Sequence, residues 1–233
     1  MTNDNNKLST NNVTSPWIES NEIDWSYITC DLKPKRYRKN EVIYYQNSIT
    51  DHVYLIHKGR IRLDINSLTG EEKTVFIAGK GTFIGDLSPI DNLPNICRAI
   101  ASTDSEVYLI LKSDFQRHLT TNIKFANDLL LINSKKIRFL VEDVKQLSFN
   151  DASYRVCYAL VHLANQYSTL TPEGYRLDMK FTHQEMANLT GLSRVSVSNI
   201  ISDLQSKRIL KKMDGYLLIK DIDSIMTYLH DIH

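Results

Sequence analysis

The segment Thr182–Leu210 carries side chains that can hydrogen-bond to DNA bases from the start of a helix. Thr182 is followed three residues later by Glu185, a capping-box pair that predicts a helix start. Gly191 predicts the end of that helix, and Ser193 then caps a second one. Two helices joined in this way form a helix-turn-helix, whose second helix reads the major groove. A helical hairpin without a nucleic-acid role can carry the same turn, so this segment alone does not decide the function.

The second helix has an apolar face and a polar face. Val197, Ile200, Ile201 and Leu204 recur at helical spacing, which predicts that their face is buried. Polar residues near the start of the helix are the ones expected to meet base edges, and a lysine at its end is expected to meet phosphate. The predicted DNA contacts are Thr182, His183, Ser193, Arg194, Val195, Ser196, Ser198, Asn199 and Lys207.

A hairpin is predicted directly after this helix. Two short apolar runs flank Asp214-Gly215, a dipeptide typical of tight β-turns, so the segment is a candidate wing. Lys211 and Lys212 lie on the hairpin, either where phosphates would pass or on a merely solvated surface. The whole chain has a net charge of +1, and residues 150–233 hold nine basic and nine acidic residues. A DNA-facing basic surface must therefore be local.

The first half of the chain predicts a β-rich fold. Short runs of β-branched and aromatic residues are separated by glycine or Asp/Asn turns, the pattern of a sandwich or barrel. The strand candidates are residues 41–45, 52–57, 60–65, 73–77 and 106–111. Before them, residues 17–32 predict one or two short helices, and the polar residues 1–19 predict a disordered tail.

A long helix is predicted at residues 123–147, between the two halves. Taking every third and then fourth residue gives eight positions, of which seven are apolar, and this repeat predicts a coiled-coil seam. Asn133 is the polar position, and a single asparagine in a seam favours a dimer of defined register. The alternative is a helix that packs only on its own domain. The predicted dimer contacts are Ile123, Leu130, Ile137, Leu140 and Val144.

Several classes of protein are excluded by the sequence. No apolar run is long enough to cross a membrane, and the polar start of the chain is not a signal peptide. Cys30, Cys97 and Cys157 form no disulfide or metal-ligand pattern and fit a reducing cytoplasm. There is no nucleophile–base pattern and no phosphate-binding loop. We therefore predict no enzyme, no catalytic residue, no metal and no cofactor.

The order of these parts resembles the CRP/FNR superfamily of bacterial transcription regulators. Gly81-Thr-Phe-Ile-Gly-Asp-Leu87 is similar to the family's G-D-F-I-G-E-L stretch. Thr182-His-Gln-Glu-Met-Ala and Gly191-Leu-Ser-Arg194 are similar to its helix-turn-helix. The resemblance implies a cytoplasmic homodimer that binds double-stranded promoter DNA, acts with RNA polymerase and responds to a small-molecule effector. A sensing protein without a DNA role would not need Ser193-Arg194 or the wing.

The implied fold is α+β. An N-terminal β-roll, a jelly roll like that of cyclic-nucleotide-binding proteins, would occupy residues 20–121 and sense the effector. A dimerisation helix would follow at 122–148, and a C-terminal winged helix-turn-helix at 149–233 would bind DNA.

The resemblance also indicates where an effector would bind. In members that bind cyclic AMP, a Gly-Glu pair meets the ribose, and an Arg-Ser pair about ten residues later meets the cyclic phosphate. Gly85 and Asp86 match the first pair, but Ile96 and Cys97 replace the second, so a buried phosphate would lack a cation. Arg98 can restore the site in a shifted register, which keeps a cyclic-nucleotide sensor open as the alternative.

With Ile96-Cys97 and with Ser88-Pro89 after Leu87, the roll is most similar to the branch that regulates anaerobic respiration of halogenated aromatics. That likeness implies a phenolate-type anion met by a lysine of the long helix, which is Lys136 by position, unless Lys136 is simply solvated. We therefore predict a small anionic effector rather than cyclic AMP. The predicted effector contacts are Gly85, Asp86, Leu87, Ile96, Cys97, Arg98, Asn133 and Lys136.

The start of the recognition helix departs from the family's common Arg-Glu-x-x-x-Arg pattern. Val195 replaces the glutamate that would accept from cytosine, and its methyl groups suit the thymine methyl. Asn199 suits adenine or a phosphate, and Arg194 suits guanine or a phosphate. An A/T-rich inverted repeat is therefore the expected target.

Overall fold

The chain folds as two compact units in a computed structural model that describes residues 15–213 and 215–230. The first unit comprises residues 16–141, and the second comprises Ser15 and the described residues from Glu142 onward. None of the helices in these ranges is long and apolar enough to cross a membrane.

The first unit is a β-roll of two sheets followed by helices. Its strands are β1 Trp17–Ile18, β2 Lys35–Tyr37, β3 Val42–Tyr44, β4 His52–Lys58, β5 Ile61–Asn66, β6 Glu72–Ala78, β7 Phe83–Ile84, β8 Arg98–Ala101 and β9 Ser105–Leu111. Its helices are α1 Ser26–Thr29, α2 Ser88–Asp91, α3 Lys112–Thr121 and α4 Ile123–Phe149, the last of which continues into the second unit.

The strands pair in the order β1-β6-β5-β8-β3 in one sheet and β2-β9-β4-β7 in the other. All five predicted strands are present, as β3, β4, β5, β6 and β9, with ends that differ by no more than one or two residues. The strands that the sequence did not indicate are two to four residues long. Runs of this length are too short to show an alternating pattern, and they form because a neighbouring strand supplies the hydrogen bonds.

The prediction of a disordered tail over residues 1–19 is wrong at its end. Trp17 and Ile18 form β1, which runs parallel to β6 and pairs with Ile77 and Ala78. Both side chains are buried, so burial of two apolar residues overrides the polar composition of the segment. Residues 1–14 lie outside the described residues.

An aromatic cluster anchors α4 on the roll. Trp25, Phe83, Phe115 and Phe125 are buried, and their rings meet edge to face with centroids 5.0–5.8 Å apart. Leu129 and Ile132 continue the buried face of α4 in the same core. Such ring geometry adds stabilisation beyond the area that the rings bury. The helix therefore has one side fixed to its own unit. Packing on its own domain was the alternative that the sequence left open for this helix.

A second side of α4 is apolar and exposed. Ile123, Leu130, Ile137 and Val144 are each at least 60% exposed, and Leu140 and Leu147 are also exposed. These are the residues of the predicted seam. The helix thus carries two apolar faces, one packed on the roll and one open to solvent.

After α4, the described part of the second unit contains four helices and two hairpins. They are α5 Ala152–Tyr167, the hairpin of β10 Ser168–Thr171 and β11 Gly174–Leu177, α6 His183–Thr190 with α7 Arg194–Ser206, the hairpin of β12 Leu210–Met213 and β13 Tyr216–Ile219, and α8 Ile222–His230.

The predicted wing is the β12–β13 hairpin. Its turn contains Gly215 with φ of +81°, a left-handed conformation that glycine adopts without strain. Asp214, the other residue of the predicted turn, lies outside the described residues. The hairpin joins β10 and β11 in one sheet of order β10-β11-β13-β12, and the sequence did not indicate those two added strands.

Replacing Phe125 with alanine should destabilise the β-roll by about 3–5 kcal/mol, because it removes a fully buried ring from a packed aromatic cluster. Both tryptophans of the chain, Trp17 and Trp25, lie in the roll, so urea unfolding followed by their fluorescence reports on this unit. Ile49→Ala is the control at an exposed position and should change stability by less than about 0.5 kcal/mol. A loss below about 1 kcal/mol for Phe125→Ala would contradict the anchoring role of the cluster.

Candidate effector cavity and DNA-facing helix

A cavity of about 460 Å³ opens in the first unit between the roll and α4. That volume suits a small organic molecule. Most of its walls are aliphatic or aromatic, and four lining residues bear titratable side chains. The lining residues are Tyr44, Leu63, Ile65, Val75, Phe76, Ile84, Gly85, Asp86, Leu87, Asn95, Ile96, Cys97, Asn133, Lys136, Ile137 and Leu140.

A buried ion pair forms the polar end of this cavity. The Lys136 Nζ atom donates to Asp86 Oδ1 at 2.9 Å and to Oδ2 at 2.8 Å. The two side chains are 11% and 4% exposed, so Lys136 is not a solvated surface lysine. Gly85, with φ of +70°, turns the chain between β7 and α2 and so directs Asp86 toward α4. A charged pair removed from water is retained only when each charge compensates the other, as here.

Tyr44 and Cys97 also line the cavity, but they are uncharged near neutral pH. Burial raises the pKa of the Tyr44 hydroxyl well above its usual value, and the Asp86 carboxylate adds to that effect. Burial likewise raises the pKa of the Cys97 thiol to about 11. Among the cavity residues that the structure describes, Asp86 and Lys136 therefore carry the charge.

Seven of the eight predicted effector contacts line the cavity, and Arg98 does not. Arg98 opens β8 and donates to Glu72 Oε1 at 2.6 Å, while Asp64 Oδ2 lies 3.6 Å away. Its guanidinium is thus held by carboxylates from β5, the neighbouring strand, and from β6, the strand beyond it. Ile96 precedes the strand in a bend, so the alternation that was expected to place Arg98 beside it does not apply. The shifted-register phosphate site is wrong.

Several lining residues were not predicted for this role. Tyr44 and Asn95 carry polar atoms into the wall, and Ile137 and Leu140 were expected only in the dimer seam. Alternation along β3 could have indicated an inward Tyr44. Asn95 sits in a loop, where its Nδ2 donates to the Ser48 carbonyl oxygen, and no sequence pattern indicates that contact.

The helix-turn-helix is built as its sequence predicts. Thr182 and Glu185 form a complete capping box at the start of α6, and Gly191 ends that helix with φ of +65°. Ser193 caps α7, where its Oγ accepts a hydrogen bond from the Ser196 backbone at 3.0 Å. These caps fix the angle at which the second helix leaves the turn.

The first turn of α7 presents its predicted DNA contacts to solvent. Val197, Ile201 and Leu204 are buried on the opposite side, which holds the helix in its own unit. Ser193, Arg194 and Asn199 are exposed, and Val195 is 69% exposed although it is apolar. Thr182 is exposed, and His183, Ser196 and Ser198 are half-buried. The methyl groups of Val195 are therefore accessible to a partner.

Lys207 does not belong to this group. It follows the last residue of the 13-residue α7, about 20 Å from the start of the helix. Its Nζ donates to Asp203 Oδ2 at 2.7 Å and to Tyr228 Oη at 2.9 Å. These hydrogen bonds, first the one to Asp203, raise the pKa of Lys207. The phosphate contact of Lys207 stays a prediction, and a phosphate at the end of the helix would have to compete with these exposed hydrogen bonds.

Lys211, one of the two wing lysines, has an acidic partner. Lys211 Nζ lies 3.1 Å from Glu173 Oε2 in the neighbouring hairpin.

The three cysteines are free thiols. Within the described ranges, no group of three or more histidine, cysteine or acidic side chains could hold a metal ion.

Two family models match the chain at the positions of these sites. The cyclic nucleotide-binding domain matches residues 34–122, and the Crp-like helix-turn-helix domain matches residues 154–228. The first match contains most of the cavity wall, and the second contains the capped helix pair and the wing.

Known proteins share the same organisation. The "Cyclic AMP receptor protein" of Thermus thermophilus is 26% identical over 185 residues, which cover 79% of this chain and 82% of that relative. The "Global nitrogen regulator" of Synechococcus elongatus is 24% identical over 181 residues, 77% of this chain and 82% of that relative. A solved structure of a CooA mutant from Carboxydothermus hydrogenoformans superposes with a TM-score of 0.73 at 22% identity, covering 88% of this chain and 91% of that one.

The β-roll, the long helix and the capped helix-turn-helix thus agree with both family models and with full-length relatives. The chain belongs to the CRP/FNR family of transcription regulators.

Proposed function

We propose that this chain is an effector-responsive homodimer that binds an A/T-rich inverted repeat in promoter DNA and responds to a small anion rather than to cyclic AMP. It would act in the cytoplasm with RNA polymerase. One observation carries the proposal: Ile137 and Leu140 line the cavity and also lie on the exposed apolar face of α4. A ligand in the cavity would contact the same side chains that a second copy would cover.

The homodimer is supported by the exposed face of α4. Six large aliphatic side chains at heptad spacing are exposed there, from Ile123 to Leu147. Contiguous apolar surface of this kind marks an interaction site in a protein that remains in solution. The heptad spacing is kept from Ile123 to Leu147, with Asn133 as its polar position. A second copy of the same helix is therefore the partner that fits the pattern.

The preference against cyclic AMP is supported by the side chains at the phosphate position. Ile96 and Cys97 stand where the family's cation would be, and Arg98 is held by Glu72 and Asp64. A cyclic phosphate there would be desolvated without a partner, which is costly. The cation in the cavity is Lys136, and an anion with an apolar body would satisfy both the lysine and the walls. Relatives named for cyclic AMP are about a quarter identical to this chain.

The preference for A/T-rich DNA is supported by the exposure of Val195. Its methyl groups offer no acceptor for cytosine, whereas they can pack on a thymine methyl. The nearby Asn199 amide offers the donor and acceptor that adenine presents in the major groove. In a two-fold dimer the half-site centres would lie roughly 34 Å apart, one turn of DNA.

Replacing Val144 with glutamate should yield monomers and abolish specific DNA binding. It places charges in the seam, and two linked half-site contacts are needed for affinity. Val144 is 62% exposed and does not line the cavity, so the ligand site is left intact. Lys145→Glu, the next residue on the helix, is the matched control and should remain dimeric. If Val144→Glu remains a dimer in analytical ultracentrifugation, the exposed face of α4 is not the dimer interface.

The double substitution Ile96→Arg with Cys97→Ser should create cyclic AMP binding at least tenfold tighter than that of the original chain. It restores a cation and a hydroxyl at the phosphate position, and a charged hydrogen bond supports a gain of this order. Isothermal titration calorimetry with cyclic AMP measures both proteins, and Arg98→Ala serves as the control that should leave the affinity of the original chain unchanged. Micromolar binding of cyclic AMP by the original chain, together with stronger DNA binding, would overturn the proposed effector class.

In vitro selection from random DNA should return an A/T-rich inverted repeat, and Val195→Glu should shift one position per half-site toward G·C. The expected change is about 1–3 kcal/mol at that position, because a glutamate accepts from cytosine N4. Ser206→Ala, at the far end of α7, should leave the consensus unchanged. If the consensus of the original chain already has G·C at that position, Val195 does not contact that base pair as proposed. If no sequence is enriched, the DNA-binding function is refuted.

A further inference from the structure

We infer that the cavity takes up a carboxylic acid with an apolar body together with one proton, which the bound ligand shares with Asp86. This inference rests on the proposed anionic effector and specifies its chemistry. It follows from the charge balance of the cavity and from the hydrogen bonds of its single ion pair.

The charged groups of the cavity already cancel. Asp86 and Lys136 contribute opposite charges, whereas Tyr44 on β3 and Cys97 before β8 remain neutral near neutral pH. Tyr54 on β4 packs on Tyr44 at a ring distance of 5.3 Å and is also neutral, because burial raises its pKa. An anion that entered alone would leave a mostly apolar site with a net negative charge beside the buried Asp86 carboxylate, which is unfavourable where water is partly excluded.

The ion pair leaves one place for a ligand oxygen. An ammonium group has three donors, and two of the contacts of Lys136 Nζ go to the two oxygens of Asp86. A ligand carboxylate that accepts from the remaining donor must therefore sit beside the Asp86 carboxylate. Two carboxylates that share a site do not both stay ionised.

Displacement of Asp86 is the competing route, and the structure disfavours it. The Asp86 side chain is 4% exposed, so breaking its contact with Lys136 would leave a buried carboxylate without a counter-charge. Uptake of one proton from solvent avoids this cost. The ligand anion and one proton then bind to the neutral pair, and the occupied site is neutral again.

The class of ligand follows from this balance. A carboxylic acid can hold the shared proton between its own oxygen and that of Asp86. A sulfonate or a phosphate diester is too weak a base to share it, so Asp86 alone would have to hold the proton and its hydrogen bond to the ligand would be weaker. The aliphatic and aromatic walls require the rest of the ligand to be apolar.

Calorimetry on the full chain tests the proton directly. β-Naphthoate is titrated in phosphate and in Tris near neutral pH, and the difference in apparent enthalpy between buffers gives the number of protons bound. We expect a value close to one, and a Kd that rises about tenfold per pH unit between about pH 6 and about pH 8, where the free ligand is ionised. β-Naphthalenesulfonate should bind at least about tenfold more weakly.

Asp86→Asn provides the variant test. With a neutral amide beside Lys136, the anion itself supplies the missing counter-charge, so proton uptake should fall to near zero and the pH dependence should flatten. The sulfonate and the carboxylate should then bind with similar affinity. Asp91→Asn makes the same chemical change at an exposed position outside the cavity and should behave like the original chain. If Asp86→Asn does not fold, the two-buffer measurement on the original chain still decides the proton number.

The outcomes separate this inference from the proposed effector class. Binding of β-naphthoate by the original chain without proton uptake, or equal affinity for the sulfonate, overturns the shared proton and leaves an anionic effector in place. Failure of both naphthalene anions to bind either the original chain or Asp86→Asn overturns the anionic effector and, with it, this inference.

Discussion

The two apolar faces of α4 are the constraint on which the rest of the structure depends. Phe125, Leu129 and Ile132 fasten one face to the roll, while the seam from Ile123 to Leu147 remains exposed on the other. The roll covers the first face and leaves the second exposed, and the two faces adjoin at Ile137 and Leu140. Hydrophobic packing therefore makes α4 a wall of the cavity and, at the same time, leaves it with an exposed apolar surface. Ile137 and Leu140 therefore contribute both to the cavity wall and to the exposed apolar face.

The buried pair of Asp86 and Lys136 sets the chemistry of that wall. A cavity with apolar sides binds apolar molecules with little discrimination, and a few placed polar groups supply specificity. Here those groups are a carboxylate from the turn after β7 and an ammonium from α4. Because the pair links a roll loop to the long helix, a ligand that enters its hydrogen-bond arrangement also acts on the attachment of that helix. By the family resemblance, cyclic AMP would instead need a cation at the position of Ile96 and Cys97, which also line the cavity.

The sequence predicted those parts of the fold in which local pattern and tertiary structure agree. The heptad run, the capping box of Thr182 with Glu185 and the wing strands all depend on residues close in the chain, and all are present. It failed where a distant partner decides. β1 forms because β6 offers an edge, and Arg98 turns away from the cavity because Glu72 and Asp64 hold it. The contact of Lys207 with Tyr228 is likewise one that the sequence did not indicate, since Tyr228 lies in a later helix.

The position of Lys136 could be inferred from the family resemblance, but the charge it faces could not. A lone lysine at the end of an apolar cavity would favour any anion of suitable shape, phosphates and sulfonates included. Once Asp86 is paired with Lys136, the site is neutral and selects for a ligand anion that can bind together with one proton. The identity of residue 86 thereby changes the ligand class without changing the fold or the cation. Specificity in this cavity lies in the carboxylate that competes with the ligand as much as in the lysine that attracts it.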